Sequence, residues 1–160
     1  MQSKPTPSAA RYEALLQLLR TAETLWNASR GFFSQWDLGP SQFNVLNVLQ
    51  QHSDGCTQSE LSRFLIMHRS NVTGLVDRLE KRGLVRRADS ATDRRAWRVT
   101  LTAAGQKLVR EILPHYHRAA EEVWGKVSAR RAQQLVAELE LVSANAEAIA
   151  ARAARKPLQA

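Results

Sequence analysis

The pattern of apolar and polar positions predicts several helices and one pair of strands. In residues 67–83, apolar side chains recur from Val72 onward at the i, i+3, i+4 and i+7 spacing of an amphipathic helix. The opposite side of this helix is polar near its start and basic near its end, and Gly83 is a typical helix stop. Such a face can present hydroxyl, amide and guanidinium groups to base edges in a major groove. An ordinary amphipathic helix with a solvated face is the alternative interpretation.

Two shorter helices are predicted before this segment. Ser41 is a candidate N-cap for a helix of about three turns. Thr57 and Glu60 have the spacing of a capping box, in which the hydroxyl and the carboxylate each accept a hydrogen bond from a backbone amide. The helix that follows is short and ends near Leu65. Together with the helix over residues 67–83, it forms a helix-turn-helix pattern.

Residues 84–101 carry the pattern of a β-hairpin. Strands are predicted over residues 84–88 and 97–101, and the second of them alternates with a period of two. The loop between them consists of small and charged residues and includes Arg94 and Arg95. A helix-turn-helix followed by such a hairpin predicts a mainly α fold, the winged helix-turn-helix with a two-stranded β-wing.

Long helical patterns flank this region on both sides. The first runs from Ala10 to about Phe33, and its length of about 35 Å exceeds what one small domain can cover. A second helix is expected over residues 103–127, with a kink or a break near Leu113 because Pro114 lacks a backbone N–H. A third is expected over residues 128–154. Their uncovered apolar faces predict an interface with a second copy of the chain. The predicted segments are a disordered N-terminus (1–9), an N-terminal dimerisation helix (10–36), the winged helix-turn-helix (41–105) and C-terminal dimerisation helices (106–154).

Positive charge is concentrated in the predicted winged domain. The chain of 160 residues has a formal net charge of +8 and a pI near 10.5. Residues 57–102 contain ten Lys and Arg against five Asp and Glu, which favours double-stranded DNA as a partner over a diffuse surface charge. Arg94 and Arg95 would suit a narrow, strongly negative minor groove. A turn that these arginines merely keep solvated is the alternative.

Other features limit the compartment and the chemistry. The single cysteine, Cys56, excludes an internal disulfide framework and fits a reducing cytoplasm. Neither a signal peptide nor a membrane span is expected, so we predict a cytoplasmic protein without a membrane partner. The histidines lack the spacing of metal ligands. No phosphate loop, serine elbow or pair of carboxylates of a catalytic kind is recognised in the sequence, so we expect no enzyme activity, no metal and no cofactor.

Three motifs give the chain a resemblance to a known family. They are Leu-Val-Asp-Arg-Leu-Glu-Lys-Arg-Gly-Leu-Val at residues 75–85, Asp-Arg-Arg at residues 93–95 and Leu-Thr-Ala-Ala-Gly at residues 101–105. Together they resemble the MarR-type transcriptional regulators over about residues 11–150. The resemblance implies a homodimer that binds near-palindromic operators and often releases them when a small ligand or an oxidant arrives.

The resemblance also implies roles for individual residues. Asp93 would brace the wing, Arg95 would read the minor groove and Arg94 would contact phosphate. His68 departs from the family pattern, in which Ser is common there; a phosphate contact and a partly exposed loop position are both open for it. Gly74 replaces longer side chains of many members and would either permit close approach to DNA or reduce base contacts. The full set of predicted DNA-binding residues is Arg69, Ser70, Asn71, Thr73, Gly74, Arg78, Arg94 and Arg95.

Aromatic residues concentrate around the junction of the first two helices. Core packing is one interpretation of this concentration, and a ligand cleft is the other. The resemblance supports the cleft, because aromatic and phenolic effectors bind between the dimerisation helices and the winged domain of similar proteins. The candidate pocket residues are Trp26, Phe32, Phe33, Trp36 and Phe43.

The combined expectation is a homodimeric, sequence-specific DNA-binding transcriptional regulator, a repressor that a small aromatic ligand releases from its operator. One alternative is an architectural DNA binder that responds to no effector. Another is a redox-sensing regulator acting through Cys56, whose pKa the dipole of the third helix would lower; a structural thiol is the simpler interpretation. A protein-interaction module that uses the winged fold without DNA is the alternative from a different class.

Overall fold

The computed structural model describes residues 7–65, 67, 69–89 and 97–155. The helices are α1 (Pro7–Ser34), α2 (Pro40–Gln51), α3 (Gln58–Phe64), α4 (Arg69–Lys81), α5 (Ala103–Trp124) and α6 (Ala129–Arg155). The strands are β1 (Cys56–Thr57), β2 (Val85–Asp89) and β3 (Trp97–Leu101). The described part of the chain is therefore mainly α, with a helix-turn-helix followed by a strand pair, as the sequence predicts.

The sheet has one strand more than expected. It is antiparallel in the order β1-β3-β2, with Cys56 opposite Val99 on one side and Val85 opposite Leu101 on the other. The two predicted strands are confirmed as β2 and β3, which pair with each other. The third strand, β1, was missed because it is only two residues long, too short to show an alternating pattern. This short strand fixes the start of α3 to the centre of the sheet.

The core lies between the helix-turn-helix, α2, the sheet and the first part of α5. The apolar stripe predicted for the central helix is confirmed, since Val72, Val76 and Leu79 of α4 are fully buried and Leu75 nearly so. Burial of such a stripe is what holds a short helix in place, since intrinsic propensity alone is weak. The other fully buried large side chains are Phe33, Phe43, Val45, Leu46, Leu61, Val85, Val99, Val109 and Ile112.

Of the two N-caps predicted from the sequence, the one of α3 is found in the structure and the one of α2 is not. The capping box of α3 is confirmed: the Thr57 hydroxyl accepts from the Glu60 backbone N–H at 3.2 Å, and the Glu60 carboxylate accepts from the Thr57 backbone N–H at 2.7 Å. The prediction of Ser41 as the N-cap of α2 was wrong, since the N-cap is Gly39 and the helix begins at Pro40. Proline suits the first helical position because its φ is already helical and no partner exists there for an N–H.

Helix α5 runs unbroken from Ala103 to Trp124, with Pro114 inside it. Of the expected kink or break near Leu113, the break is therefore ruled out, and the kink stays a prediction. Proline removes one i→i−4 hydrogen bond, while Val109 and Ile112 in the preceding turn are fully buried and hold the helix on the core.

The chain forms two compact units, Met1–Ile112 and Leu113–Ala160. The first contains α1 and the winged helix-turn-helix, and the second contains the rest of α5 and all of α6. Within the described part of the chain, no helix is both long and apolar enough to span a membrane. Each unit carries large exposed apolar side chains: Tyr12, Leu15, Leu19, Leu25 and Trp26 on α1, and Val123, Trp124, Val127, Leu135, Val136, Leu141, Val142 and Ile149 in the second unit.

Candidate nucleic-acid interface

The outer face of α4 is the candidate interface. Arg69, Ser70 and Asn71 are exposed in its first turn, and Arg78 and Lys81 are exposed toward its end. The apolar stripe on the other side of the helix is buried, so this polar and basic face is directed away from the core. Its first turn offers short hydrogen-bonding side chains of the kind that reach base edges.

Thr73 lies at the boundary of this face rather than in its middle. The side chain is half-buried, and its hydroxyl lies 3.2 Å from Gln58 Oε1 on α3 and 3.1 Å from the backbone oxygen of Arg69. The Arg69 guanidinium in turn donates to the Ser59 hydroxyl on α3. These side-chain bonds fix α4 at a set angle to α3, and they engage two of the predicted DNA-binding residues within the protein.

The Arg78 guanidinium lies next to Gly74 on the outer face of α4. A Cβ at this position would lie 3.6 Å from Arg78 Nη1, so the Arg78 side chain lies back over the glycine one turn earlier. The contact distance is an ordinary one, and a small side chain at this position would be tolerated. A shallow groove results along this side of the helix, lined by Gly74, Asp77, Arg78, Glu80 and Lys81.

A carboxylate pair joins α4 to the base of the wing. The Arg87 guanidinium on β2 donates to both Asp77 and Glu80, and the Arg87 backbone N–H donates to Glu80 Oε1 at 3.0 Å. Burial acts to lower the pKa of Arg87, but the bonds to the two carboxylates outweigh it and raise that pKa above its usual value. Arg87 therefore orients the β-hairpin relative to α4.

A second arginine fixes the start of α3. Arg98 on β3 donates from Nε to the Asp54 backbone oxygen at 2.9 Å and from Nη2 to that of Gly55, while its Nη1 lies 3.8 Å from Glu60. The hydrogen bond from the Thr57 backbone is the largest cause that lowers the pKa of Glu60, and the charge of Arg98 acts in the same direction. Arg98 thus connects the turn before α3 to the capping box at the start of that helix.

These hydrogen bonds reduce the number of arginines that are available to contact DNA. Arg87 and Arg98 were counted with the basic residues that suggest DNA, and so was Arg82, but each donates to groups of the protein itself. Their structural roles were missed in the sequence. The only signal was the pair Asp77 and Glu80, three residues apart on one helix, which indicates a cationic partner nearby.

The wing residues Asp93, Arg94 and Arg95 lie outside the described residues, and so does His68. Their roles stay predictions from the sequence. The strands that flank residues 90–96 are described as far as the pair Asp89 and Trp97.

The candidate pocket residues divide into three groups. Phe33 and Phe43 are fully buried and stack with ring centroids 4.4 Å apart, so they are core residues. Phe32 and Trp36 are half-buried, with ring centroids 5.4 Å apart, and they lie at the edge of this core. Trp26 lies about two turns earlier on α1 and is exposed. The structure thus brings four of the five residues together.

Cys56 is buried on β1, an edge strand of the sheet. Burial raises the pKa of the thiol, and the nearby Glu60 carboxylate adds to this effect, whereas Arg98 opposes it. The expectation that the dipole of α3 lowers this pKa is therefore wrong, because desolvation dominates at a buried site. A thiol of this kind is mostly protonated and suits a structural role. Among the described residues, no three His, Cys, Asp or Glu side chains are grouped as metal ligands would be.

Comparison with known sequences agrees with this architecture. Residues 36–96, which contain the helix-turn-helix, match the model of the MarR family. The chain is 30% identical over 129 residues to the HTH-type transcriptional regulator PapX of Escherichia coli, which covers 79% of each chain. It is also 35% identical over 91 residues to the transcriptional repressor MprA of Escherichia coli K12, covering 57% of this chain and 52% of that protein.

Comparison with solved structures gives the same fold. A DNA complex of MepR from S. aureus superposes with a TM-score of 0.73 at 24% identity, covering 84% of this chain and 96% of that one. BpsR of Bordetella bronchiseptica, whose DNA binding is regulated by 6-hydroxynicotinic acid, superposes with a TM-score of 0.66 at 24% identity, covering 79% of this chain and 98% of that one.

Proposed function

Because this chain belongs to the MarR family of transcriptional regulators, we propose that it is a homodimeric repressor that binds a near-palindromic operator and is released by a small aromatic ligand. The observation that carries the proposal is the outer face of α4, polar in its first turn and basic at its end, on a helix whose other face is fixed in the core. MprA, a repressor by name, is among the relatives.

In this proposal α4 enters the major groove with its first turn. Ser70 and Asn71 contact base edges there, and Arg69 contacts a guanine or a phosphate. Lys81 lies three turns from the start of the helix and contacts phosphate, which adds affinity without sequence preference. Arg78 lies between these zones, with its guanidinium next to Gly74 of the same helix.

The wing completes the proposed interface. Arg95 enters the minor groove and Arg94 contacts phosphate, while Asp93 braces the hairpin. The support comes from the sequence motif and from the strands β2 and β3, which Arg87 holds against α4. In a dimer, the two winged domains would bind half-sites about one helical turn of DNA apart. A regulator of this kind works where the chromosome lies, in the cytoplasm.

The dimer is proposed from the exposed apolar residues of both units. Leu19 on α1 and Leu141 on α6 are 59% and 64% exposed, and each stands in a row of similar side chains. Exposed rows of apolar side chains of this size indicate a protein–protein interface. Sedimentation equilibrium at micromolar concentration is expected to give a dimer. Leu141→Glu is expected to shift the protein toward monomers, while the matched change Gln134→Glu, at an exposed polar position of α6, leaves it dimeric.

The effector is proposed to bind at the exposed edge of the aromatic group, where Phe32 and Trp36 are half-buried. Thermal shift with 6-hydroxynicotinic acid and other aromatic acids tests this site, since a ligand that binds only the folded protein raises its melting temperature. Trp36→Ala is expected to abolish the shift. An architectural binder without an effector predicts no shift with any acid. The redox alternative through Cys56 is disfavoured by the raised pKa of its thiol.

Selection of binding sites from randomised duplexes tests the assignment of α4. The wild type is expected to yield a near-palindromic sequence. Asn71→Ala is expected to change which positions of that sequence are preferred, whereas Lys81→Ala keeps the sequence and weakens binding to all duplexes alike. A protein-interaction module would select no sequence.

A further inference from the structure

Helix α1 ends in a Schellman motif that is completed by a residue other than glycine. The Asp37 backbone N–H donates to the Ser34 oxygen at 2.9 Å, and the Leu38 N–H donates to the Phe33 oxygen at 3.2 Å. Asp37 has a φ of 53°, in the left-handed region that glycine usually supplies at such a position. The last turn of α1 contains no basic residue of its own to interact with its terminal carbonyl groups.

Helix α4 ends in the same motif, and the residue that directly follows it, Arg82, caps the end of α1. The Gly83 N–H donates to the Glu80 oxygen at 2.8 Å, and the Leu84 N–H donates to that of Leu79 at 3.0 Å. The residue before Gly83 is Arg82, whose guanidinium donates to the backbone oxygen of Trp36 at 3.1 Å and to that of Asp37.

The contacts of Arg82 are directed mainly at the backbone. The Asp37 carboxylate lies 3.6 Å from Nη2 but is 95% exposed, so this ion pair adds little. The two carbonyl groups accept charge-assisted hydrogen bonds from one planar fork, and this geometry fixes the guanidinium relative to the turn. The end of the proposed recognition helix is thereby attached to the end of α1.

The side chain of Trp36 makes two further contacts. Its indole Nε1–H donates to Glu111 Oε1 on α5 at 2.8 Å. Its ring lies 5.4 Å from that of Phe32, at the edge where the effector is proposed to bind. Trp36 therefore makes three contacts. Its ring lies against Phe32, its indole nitrogen donates to α5, and its backbone oxygen accepts from Arg82 at the end of α4.

We propose that Arg82 is a positioning residue that couples the aromatic edge at Phe32 and Trp36 to the orientation of α4 on DNA. The inference rests on the proposed function and deepens it. A displacement of Trp36 moves the carbonyl groups that Arg82 holds, and the C-terminal end of α4 must then change its own position or lose these bonds. Linkage makes the coupling reciprocal, so DNA bound to α4 must alter the surroundings of Trp36.

Fluorine NMR of the full chain tests this reciprocal effect without any effector. The four tryptophans are replaced by 5-fluorotryptophan, and the Trp36 resonance is assigned by its loss in Trp36→Phe. Each protein is then saturated with a duplex obtained by site selection. The wild type is expected to show a shift of the Trp36 resonance in the complex, and Arg82→Gln is expected to lose most of that shift while still binding the duplex.

Arg86→Gln is the matched control. Arg86 is an exposed arginine on β2 whose Nε donates to the Thr100 hydroxyl at 3.3 Å, so its replacement removes the same charge without touching the turn. This variant is expected to keep the full Trp36 shift. Arg82→Lys retains the charge but not the planar fork, and is expected to keep only part of the shift, which provides a second test should Arg82→Gln fold poorly.

Two results would overturn the coupling. A Trp36 shift of equal size in wild type and in the Arg82 variants would show that the DNA acts on Trp36 by another route. An unmoved Trp36 resonance in a wild-type complex would show that no coupling exists, while the proposed function stood. A wild type that binds no selected duplex would instead overturn the proposed function and the coupling with it.

Discussion

The hydroxyl of Thr73 lies 3.2 Å from the side-chain oxygen of Gln58, and this contact joins the two helices of the helix-turn-helix. The sequence places Thr73 with Asn71 among the residues expected to read bases. In the structure Asn71 is exposed, whereas Thr73 is half-buried and has its hydroxyl directed toward α3 and the backbone of its own helix. The two neighbours are therefore expected to respond differently to substitution.

Thr73→Val is expected to act mainly on stability. It keeps the shape of the side chain but removes the hydroxyl whose one proton is shared between Gln58 Oε1 and the Arg69 backbone oxygen, at a cost of about 1 kcal/mol in the free energy of unfolding. Asn71→Ala is expected to change that free energy little, because Asn71 is exposed. Urea denaturation measures both values. A Thr73→Val protein of wild-type stability with an altered operator preference would restore Thr73 to the base-reading set.

Gly105→Ala is expected to destabilise the protein strongly. A Cβ at this position would lie 2.0 Å from the backbone oxygen of Leu84, so the strand pair and the start of α5 must move apart. We expect a loss of at least about 2 kcal/mol. Gly31→Ala is the control, since a Cβ there would meet nothing within 4 Å beyond its chain neighbours and the backbone of α1, and it is expected to gain about 0.5–1 kcal/mol. Thermal unfolding of both variants provides the comparison, and equal melting temperatures would contradict it.

The stability of the winged domain is expected to fall in acid through Glu60. The hydrogen bond from the Thr57 backbone is the main cause that holds the pKa of this carboxyl below its ordinary value in the folded protein. The unfolded state therefore binds the proton more readily. The contribution is complete above the ordinary pKa and is lost as the pH falls through the lower, folded pKa.

Glu60→Gln removes this titration, and it isolates the effect. Between neutral pH and about pH 3, the unfolding free energy of the wild type is expected to fall more steeply than that of Glu60→Gln. Thr57→Ala removes the side-chain half of the capping box and is expected to reduce the difference without abolishing it, because the Thr57 backbone N–H remains. Parallel pH profiles for wild type and Glu60→Gln would exclude the assignment.

Local sequence patterns were sufficient to predict most of the helices. The apolar stripe from Val72 to Leu79 and the capping box at Thr57 are read from spacing alone, since both depend on residues within two turns of each other. The motif Leu-Thr-Ala-Ala-Gly also has a local explanation: Thr102 accepts from the Gly105 backbone N–H at 3.1 Å and caps α5, while Gly105 permits the close contact with Leu84.

The roles of the arginines were beyond the reach of local patterns. Arg82 bonds residues 45 and 46 positions away, and Arg98 bonds residues 43 and 44 positions away. Such partners come together only when the fold brings the helix ends and the sheet into contact. An arginine that caps a distant helix end looks the same in the sequence as one that binds phosphate, so counts of basic residues overstate the charge that is available for DNA.

The salt dependence of duplex binding tests the central claim, that the outer face of α4 and the wing bind DNA. Fluorescence anisotropy would compare a duplex obtained by site selection with a scrambled duplex. For the wild type, a rise of roughly 10³-fold or more in Kd is expected between about 50 mM and about 200 mM salt, since a dimer of this kind contacts many phosphates. Lys81→Ala and Arg94→Ala, which remove proposed phosphate contacts, should each reduce the salt slope, and the selected duplex should bind more tightly throughout. A Kd that is the same for both duplexes and independent of salt would contradict the account.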